Sequence, residues 1–359
     1  MSDASPADRA TSASAPSASA PSGSVASASR RVAAVDCGTN SIRLLIADVR
    51  DDGNGNATLT DVVRTMRVVR LGQGVDATGR LADEALARTF AACRDYAAQC
   101  REHDVERIRF VATSATRDAA NRQDFVDGVR GILGVEPEVI SGDEEAALSF
   151  AGALSVLDHA QALPALVVDL GGGSTEFVLG DRDGVRASLS TDVGCVRMTE
   201  RHLTDDPPTE EQIAAATADV DAAIDAAAGV VPLGETATVI GVAGTITTIT
   251  AHALGLDEYD PDAIHGAELP IATLRASADA LLHATRDRRA AMPFMHPGRV
   301  DVIGGGSLIW SRILERVAGA TGTVRTAVTS EHDILDGIAL SVPTTTTGAG
   351  PVPGTVEPR

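Results

Sequence analysis

The sequence predicts an α/β protein of two lobes, each a mixed sheet covered by helices, with a ligand crevice between them. Three observations predict it. Two segments share one pattern: Asp36-Cys37-Gly38-Thr39-Asn40-Ser41 and Asp169-Leu170-Gly171-Gly172-Gly173-Ser174 both read Asp-x-Gly-x-x-Ser, each between two apolar runs. Strand-like and helix-like stretches alternate as three strands, helix, strand, helix, strand, helix, and the scheme restarts at Ala165. A chain of 359 residues is too long for one ordinary core and comfortable for two.

The elements follow in order. Residues 1–30 are mostly Ser, Ala, Pro, Asp and Gly, without the apolar stretch of a signal peptide, and read as a disordered tail. The first domain is expected over 31–155. It holds strands at 32–35, 42–49 and 66–69, a turn cluster over 51–56, and a helix over 81–102. A strand at 107–112, a helix at 118–133, a short strand at 139–140 and a helix at 143–157 complete it. The second domain is expected over 156–342. Strands at 165–169, 175–180 and 186–192 lead into helices at 195–203 and 209–229. A strand at 237–242 and helices at 244–254 and 271–284 come next. A strand at 300–303, a helix at 306–318, a strand at 323–328 and a helix at 332–341 end the unit. Residues 343–359 read as a second tail.

Composition narrows the chemistry. Apolar residues make up 44% of the chain but aromatic ones 3%, so the core should be Ala, Val, Leu and Ile. No run of about 18 apolar residues is present, so no membrane span is expected. The net charge of −20 argues against nucleic-acid binding by the whole surface. Every basic residue is Arg, which excludes a P-loop lysine or a Schiff-base lysine. An anion must therefore be held by Arg, backbone N–H groups or metal ions. Cys37, Cys93, Cys100 and Cys195 form no C-x-x-C pair, which fits a reducing cytoplasm and makes a zinc site unlikely. Cys93 and Cys100 share one helix face and read as packing residues.

Each motif has a bland reading and a chemical one. The turn at Thr39, Asn40 and Ser41 is either a plain hairpin or a phosphate cradle, with Asp36 at its mouth. Gly171 to Gly173, then Ser174 and Thr175, are harder to explain as a plain turn, because three glycines cost much unfolded-chain entropy. Close approach of backbone to an anion is their use. Asp169 and Glu176 flank that loop, and bare carboxylates beside phosphate need a divalent cation such as Mg²⁺ between them. Glu144 and Glu145 follow Ser141 at a helix start, where acidic residues are favoured by the macrodipole. The alternative is a carboxylate that activates water; spacing alone favours the former. Arg117, at a strand-to-helix junction, suits bidentate phosphate binding or is a surface Arg. Gly244-Thr245, after a strand, reads as a further phosphate or nucleotide loop. Gly304-Gly305-Gly306-Ser307 reads as another glycine turn. His296 and His332 read as ordinary polar residues.

Five segments occur in order: 35–45, 112–121, 141–146, 168–176 and 241–245. Together they resemble the exopolyphosphatase / guanosine pentaphosphate phosphohydrolase family, over about residues 31–342. The resemblance implies two ribonuclease-H-like domains of the actin, Hsp70 and sugar-kinase superfamily, with an inter-domain cleft. It implies Mg²⁺-dependent removal of terminal orthophosphate from linear polyphosphate. Glu145 takes the family's catalytic role. Asp36, Asp169 and Glu176 take metal and water positioning. Thr39, Asn40, Ser41, Arg43, Arg117, Gly171, Gly172, Gly173, Ser174 and Thr175 take phosphate contacts. Arg43 is expected to grip the anion directly. The chain is expected to lack the C-terminal helical domain of longer relatives, and a homodimer is one assembly the resemblance leaves open. Three rival functions are compatible with these residues: conversion of pppGpp to ppGpp, an ATP-dependent small-molecule kinase, and a non-catalytic polyphosphate or nucleotide sensor.

Overall fold

The computed structural model describes residues 29–51, 57–157 and 161–342. The two expected tails fall outside the described residues, apart from 29 and 30, as does most of the 51–56 turn cluster. The first sheet has the order β3-β2-β1-β4-β5: β1 (Arg30–Cys37), β2 (Ser41–Asp51), β3 (Ala57–Val68), β4 (Arg107–Ala112) and β5 (Glu138–Val139). Strand β1 is antiparallel to β2 and parallel to β4. Five helices belong to this stretch: α1 (Val75–Thr78), α2 (Asp83–Glu102), α3 (Ser114–Asp118), α4 (Arg122–Leu133) and α5 (Gly142–Ala153).

The second sheet repeats the plan. Strands β6 (Ala165–Leu170), β7 (Thr175–Asp181), β8 (Gly184–Thr191), β9 (Thr238–Val242), β10 (Glu268–Pro270) and β11 (Thr326–Thr329) lie in the order β10-β11-β9-β6-β7-β8. Read from β8, this is the first sheet's 3-2-1-4-5 arrangement with one edge strand added. The order, with the second strand antiparallel to the first and fourth, is that of two ribonuclease-H-like units. The helices here are α6 (Cys195–His202), α7 (Glu210–Ala228), α8 (Ala243–Leu254), α9 (Pro261–Ile264), α10 (Ile271–His283), α11 (Arg286–Ala290), α12 (Ile303–Thr321) and α13 (Ile334–Leu340).

Periodicity explains most of these elements. The buried side of α2 is Ala85, Leu86, Thr89, Ala92, Cys93, Tyr96, Ala97 and Cys100, a three- and four-residue repeat that makes one apolar stripe. Cys93 and Cys100 are packing residues in it, as expected. Strand β3 is longer than expected: it is an edge strand with no fully buried side chain, and its Leu59, Val62 and Val63 are interrupted by polar residues, so its first part lacks the continuous apolar run of an inner strand. The expected strand at 300–303 is not one. Residues 300–302 form a turn, and Ile303 opens α12.

The last helix of each half covers the other half's sheet. Helix α5 follows the first sheet, yet its Ala146, Phe150 and Ala153 pack with Val167, Val178 and Ile240 of the second. Helix α13 follows the second sheet, yet its Leu335, Ile338 and Ala339 pack with Val32, Ala34 and Leu45 of the first. The two helices cross at a pair of glycines. A Cβ on Gly152 would stand 1.8 Å from the Asp333 carbonyl oxygen, and one on Gly337 would stand 2.0 Å from the Leu148 carbonyl oxygen. No other residue type permits that approach without a backbone shift.

Candidate active site

The two Asp-x-Gly-x-x-Ser segments fold alike. In the first, the Gly38 N–H donates to the Ser41 carbonyl at 3.0 Å; in the second, the Gly171 N–H donates to the Ser174 carbonyl at 3.0 Å. The carbonyls of each loop are held from behind. Thr39 O accepts from Gly72, and Asn40 O accepts from Val69 and Arg70. Gly171 O accepts from Cys195, and Gly172 O from Val196 and Arg197, all at the start of α6. The N–H groups of Thr39, Asn40, Gly172 and Gly173 have no backbone acceptor among the described residues, which leaves both loops as amide-rich cradles. The Asn40 Oδ1 atom is buried and without a partner.

The loops also touch each other. A Cβ on Gly172 would lie 2.9 Å from Thr39 Cβ, and one on Gly173 would lie 2.7 Å from both Ser114 Oγ and Thr39 Oγ1. Two of the three glycines are therefore required by loop-to-loop contact, a reason that the sequence reading did not contain.

A cleft opens beside this contact. Its walls carry Asp36, Thr39, Asn40, Ser41, Arg43, Glu145, Asp169, Gly171, Gly172, Ser174, Gly244 and Thr245. Four expected residues stand one layer back. Gly173 lines a small cavity on the α6 side, and the Thr175 hydroxyl donates to the Val193 carbonyl. Glu176 is 1% exposed and accepts from Ser190 Oγ at 2.7 Å. Arg117 sits behind Glu145, donating from Nη1 to Glu145 Oε2 at 3.0 Å and to the Ile140 carbonyl at 3.1 Å.

Register explains how the two loops differ. Asp36 faces Arg43 across β1 and β2, and Asp169 faces Glu176 across β6 and β7. In the first pair, charge is matched: Arg43 donates to Asp36 Oδ2 at 2.7 and 2.9 Å and to Asp333 as well. Arg43 lines the cleft with its guanidinium already bound by two carboxylates, so it is less available to an anion than the sequence implies. In the second pair, charge is unmatched. Asp169 accepts from Ser149 Oγ and has no Arg partner among the described residues. Ser149 lies four residues after Glu145 on α5, which puts both on one helix face.

Electrostatics follow from that imbalance. Glu145, Asp169 and Glu176 are buried near one another with Arg117 paired to the first. Burial pushes the Glu145 carboxyl up to about 7, with Arg117 pulling back and Asp169 and Asp36 adding repulsion. Burial also pushes Asp169 up to about 7, with Asp333 as the next cause. Glu176 is raised well above the usual range by burial and by its neighbours Glu145 and Asp169. Burial raises Asp36 too, against the pull of Arg43. Such a site gains from a cation. Among the described residues, no three acidic, His or Cys side chains converge as a ready-made metal site. The donor chemistry still fits Mg²⁺, which takes one or two carboxylates and completes its shell with water and phosphate oxygens.

The remaining expectations sort themselves by backbone. The reversal after β9 is made at Ala243, with φ 72°, not at Gly244, which lies inside the first turn of α8. A residue with a Cβ in that region costs on the order of 1–3 kcal/mol, and Ala243 lines the cleft. Gly244 is needed for another reason: a Cβ there would lie 2.5 Å from an Arg299 Nη atom. The expected glycine turn at 304–307 is the buried start of α12. Gly305 packs on Thr199 Oγ1 and the Cys195 carbonyl, and Gly306 on Thr245, so these glycines serve helix packing. His296 caps a short turn through the Gly298 N–H, and His332 packs against His265 with ring centroids 4.5 Å apart and planes tilted by 44°.

Arg299 is the residue that sequence reasoning missed. It lines the cleft and an adjoining chamber of about 480 Å³. Its Nη1 donates to Thr248 Oγ1 at 3.0 Å, and its guanidinium carbon lies 5.7 Å from the Tyr259 ring centroid. No carboxylate pairs with it among the described residues. No motif surrounds it in the sequence; only the turn before α12 brings it here.

Fold and cleft define a two-lobed α/β protein with an acidic site between paired amide-lined loops. The chain belongs to the Ppx/GppA phosphatase family, whose model matches residues 45–341. It is 51% identical over 320 residues to Exopolyphosphatase 2 of Mycobacterium tuberculosis, covering 88% of this chain and 99% of that protein. It is 33% identical over 289 residues to a bifunctional 3-dehydroquinate synthase/phosphatase of Fusobacterium nucleatum, covering 79% of this chain and 43% of that one. Among solved structures, an exopolyphosphatase-like protein superposes with a TM-score of 0.82 at 50% identity, covering 87% of this chain and 98% of that one. The Aquifex aeolicus family member superposes with 0.70 at 29% identity, covering 88% and 97%.

Proposed function

We propose that this protein is an exopolyphosphatase, a hydrolase that releases terminal orthophosphate from linear inorganic polyphosphate with Mg²⁺. The observation that carries this reading is Glu145, a buried carboxylate raised to about 7 and oriented by Arg117, in the wall of a cleft between two amide cradles. A carboxyl poised near neutral pH is suited to take a proton from water. The 51% identity to an exopolyphosphatase supports the substrate class.

The chain's own residues divide the work. Thr39, Asn40, Ser41, Gly172 and Ser174 would hold the terminal phosphate by N–H and hydroxyl donors, as positioning is the larger part of phosphoryl-transfer catalysis. Glu145 would orient a water opposite the bridging oxygen and accept its proton as the new P–O bond forms. The bridging P–O bond breaks, and the shortened polyphosphate leaves as an oxyanion. Asp169, with Asp36 and Glu176 in support, would hold Mg²⁺, which supplies charge neutralisation at phosphate oxygens when bound. Arg117 keeps Glu145 in place, and Arg299 would meet the chain beyond the terminal phosphate. We place the protein in the cytoplasm; all four cysteines are free and buried, and no described helix is long and apolar enough to cross a membrane.

The test is orthophosphate release from polyphosphates of defined length, with Mg²⁺ and with EDTA. Release that EDTA abolishes is expected; no release from any length overturns the reading. A second reading, pppGpp to ppGpp conversion, is favoured by one observation: the adjoining chamber carries Tyr259, His265 and Leu335, surfaces suited to a nucleoside. Turnover of the two substrates side by side separates them.

A further inference from the structure

We propose that Arg197 is a positioning residue for the reaction: by bridging the two lobes, it sets the second phosphate loop against the first and against the helix that carries Arg117. The inference rests on the hydrolase reading above. Arg197 lies outside the cleft wall and would touch neither substrate nor reacting water.

Its guanidinium is fully engaged, in three directions. Nε donates to the Gly173 carbonyl at 2.8 Å, within the second loop. Nη1 donates to Asp76 Oδ1 at 2.7 Å, on α1 of the first lobe. Nη2 donates to Asp118 Oδ2 at 2.7 Å, on α3 of the first lobe. The Arg197 side chain is 14% exposed and its partners Asp76 and Asp118 are 26% and 32% exposed, so these are charge-assisted bonds at a half-buried seam, where three acceptors fix one guanidinium.

The backbone makes this bridge consequential. The first N–H groups of α6 hold the carbonyls of Gly171 and Gly172, so loop and helix form one body. Asp118 follows Arg117 directly, and Arg117 holds Glu145. One guanidinium thus ties the second cradle to the support of the proposed base. Its neighbours reinforce the docking: Arg201 donates to Asp76 at 2.9 and 3.2 Å, and Glu200 accepts from the Gly74 N–H at 3.2 Å. At the far end of the contact, Gly173 packs on Thr39 and Ser114, whose hydroxyls are 2.8 Å apart. Lobe separation is therefore fixed at a tight loop contact, where a shift of about 1 Å can cost roughly 100-fold in rate.

The experiment compares Arg197→Met, Arg197→Lys and Asp118→Asn with the wild-type chain. Arg197→Met should lower kcat for orthophosphate release about 10- to 100-fold with KM changed less than about threefold. Arg197→Lys, which keeps charge but cannot reach three acceptors, should fall between. Arg197→Met combined with Asp118→Asn should be no slower than Arg197→Met alone. Hydrogen exchange in the ligand-free chain gives a readout independent of activity: segments 171–175 and 113–118 should both exchange faster in Arg197→Met, while α10 stays unchanged. Unchanged exchange at both segments, or a lowered melting temperature with kcat intact, overturns the inference. If the wild type releases no orthophosphate, the proposed function fails, and the exchange comparison still decides whether Arg197 sets the loop.

Discussion

Arg117 holds Glu145 from behind, with one Nη atom donating to both the Glu145 carboxylate and the Ile140 carbonyl. The carboxylate is thus fixed in orientation while its other oxygen is left to the cleft. Glu145→Gln keeps the shape and removes the base. Orthophosphate release should fall by about 10²–10⁴, with the circular dichroism spectrum unchanged. A rate within threefold of wild type removes Glu145 from its role.

The pH profile follows from the same residue. A base must be deprotonated, and burial raises Glu145 to about 7. kcat/KM should therefore rise with pH through an acid limb near 7. Arg117 lowers that value, so Arg117→Met should move the limb to higher pH. A limb that moves down, or stays, contradicts the pairing.

Asp169 makes a prediction about stability. Its folded value of about 7 lies above the usual carboxylate value near 3.9. Between those values the folded state binds more protons than the unfolded state, so stability falls as pH rises from about 4 to 7. Asp169→Asn removes the buried charge. It should raise the melting temperature at pH 8 without Mg²⁺ while abolishing orthophosphate release. In wild type, Mg²⁺ should recover part of the stability lost above pH 7. Thermal scans at pH 5 and pH 8 check both statements.

Among the described residues no carboxylate pairs with Arg299, which lines both the cleft and the adjoining chamber. Losing a charged hydrogen bond to a phosphate costs about 1.5–3 kcal/mol. Arg299→Gln should raise KM for polyphosphate about tenfold or more and alter kcat less. Steady-state kinetics across chain lengths test it, and an unchanged KM at every length sinks the assignment.

The crossing of α5 and α13 tolerates no side chain. Gly152→Ala should destabilise the protein by at least about 1–3 kcal/mol, the ordinary cost of overpacking, because the obstacle is the Asp333 carbonyl. Urea midpoints measure it. Gly131, with nothing near its would-be Cβ, is the control: Gly131→Ala should leave the midpoint unchanged or raise it.

Much of this architecture was legible because repetition and periodicity are local signals. The paired Asp-x-Gly-x-x-Ser segments gave both loops, and apolar stripes such as that of α2 gave most helices. What stayed hidden depends on contacts between distant segments. Gly305 looked like a turn residue because its partner, the Cys195 carbonyl, is far away in the chain. Arg43 looked free because nothing in the sequence brings Asp333 to it. Ser149 was within reach of sequence reasoning, since its four-residue spacing from Glu145 on one helix puts both on one side.

The exchange of α5 and α13 means that neither half of the chain is a self-sufficient product. A polypeptide cut at 155 would carry α5 away from the sheet it shields, and its companion would carry α13 away from the other. Fragments should thus be insoluble alone and recover only when co-expressed. The same crossing joins the element bearing Glu145 to the element that begins beside Asp333. The two helices locked together at that crossing both reach the cleft, through Glu145 on α5 and Ile334 on α13, so the clasp between the lobes is continuous with the wall of the reaction chamber.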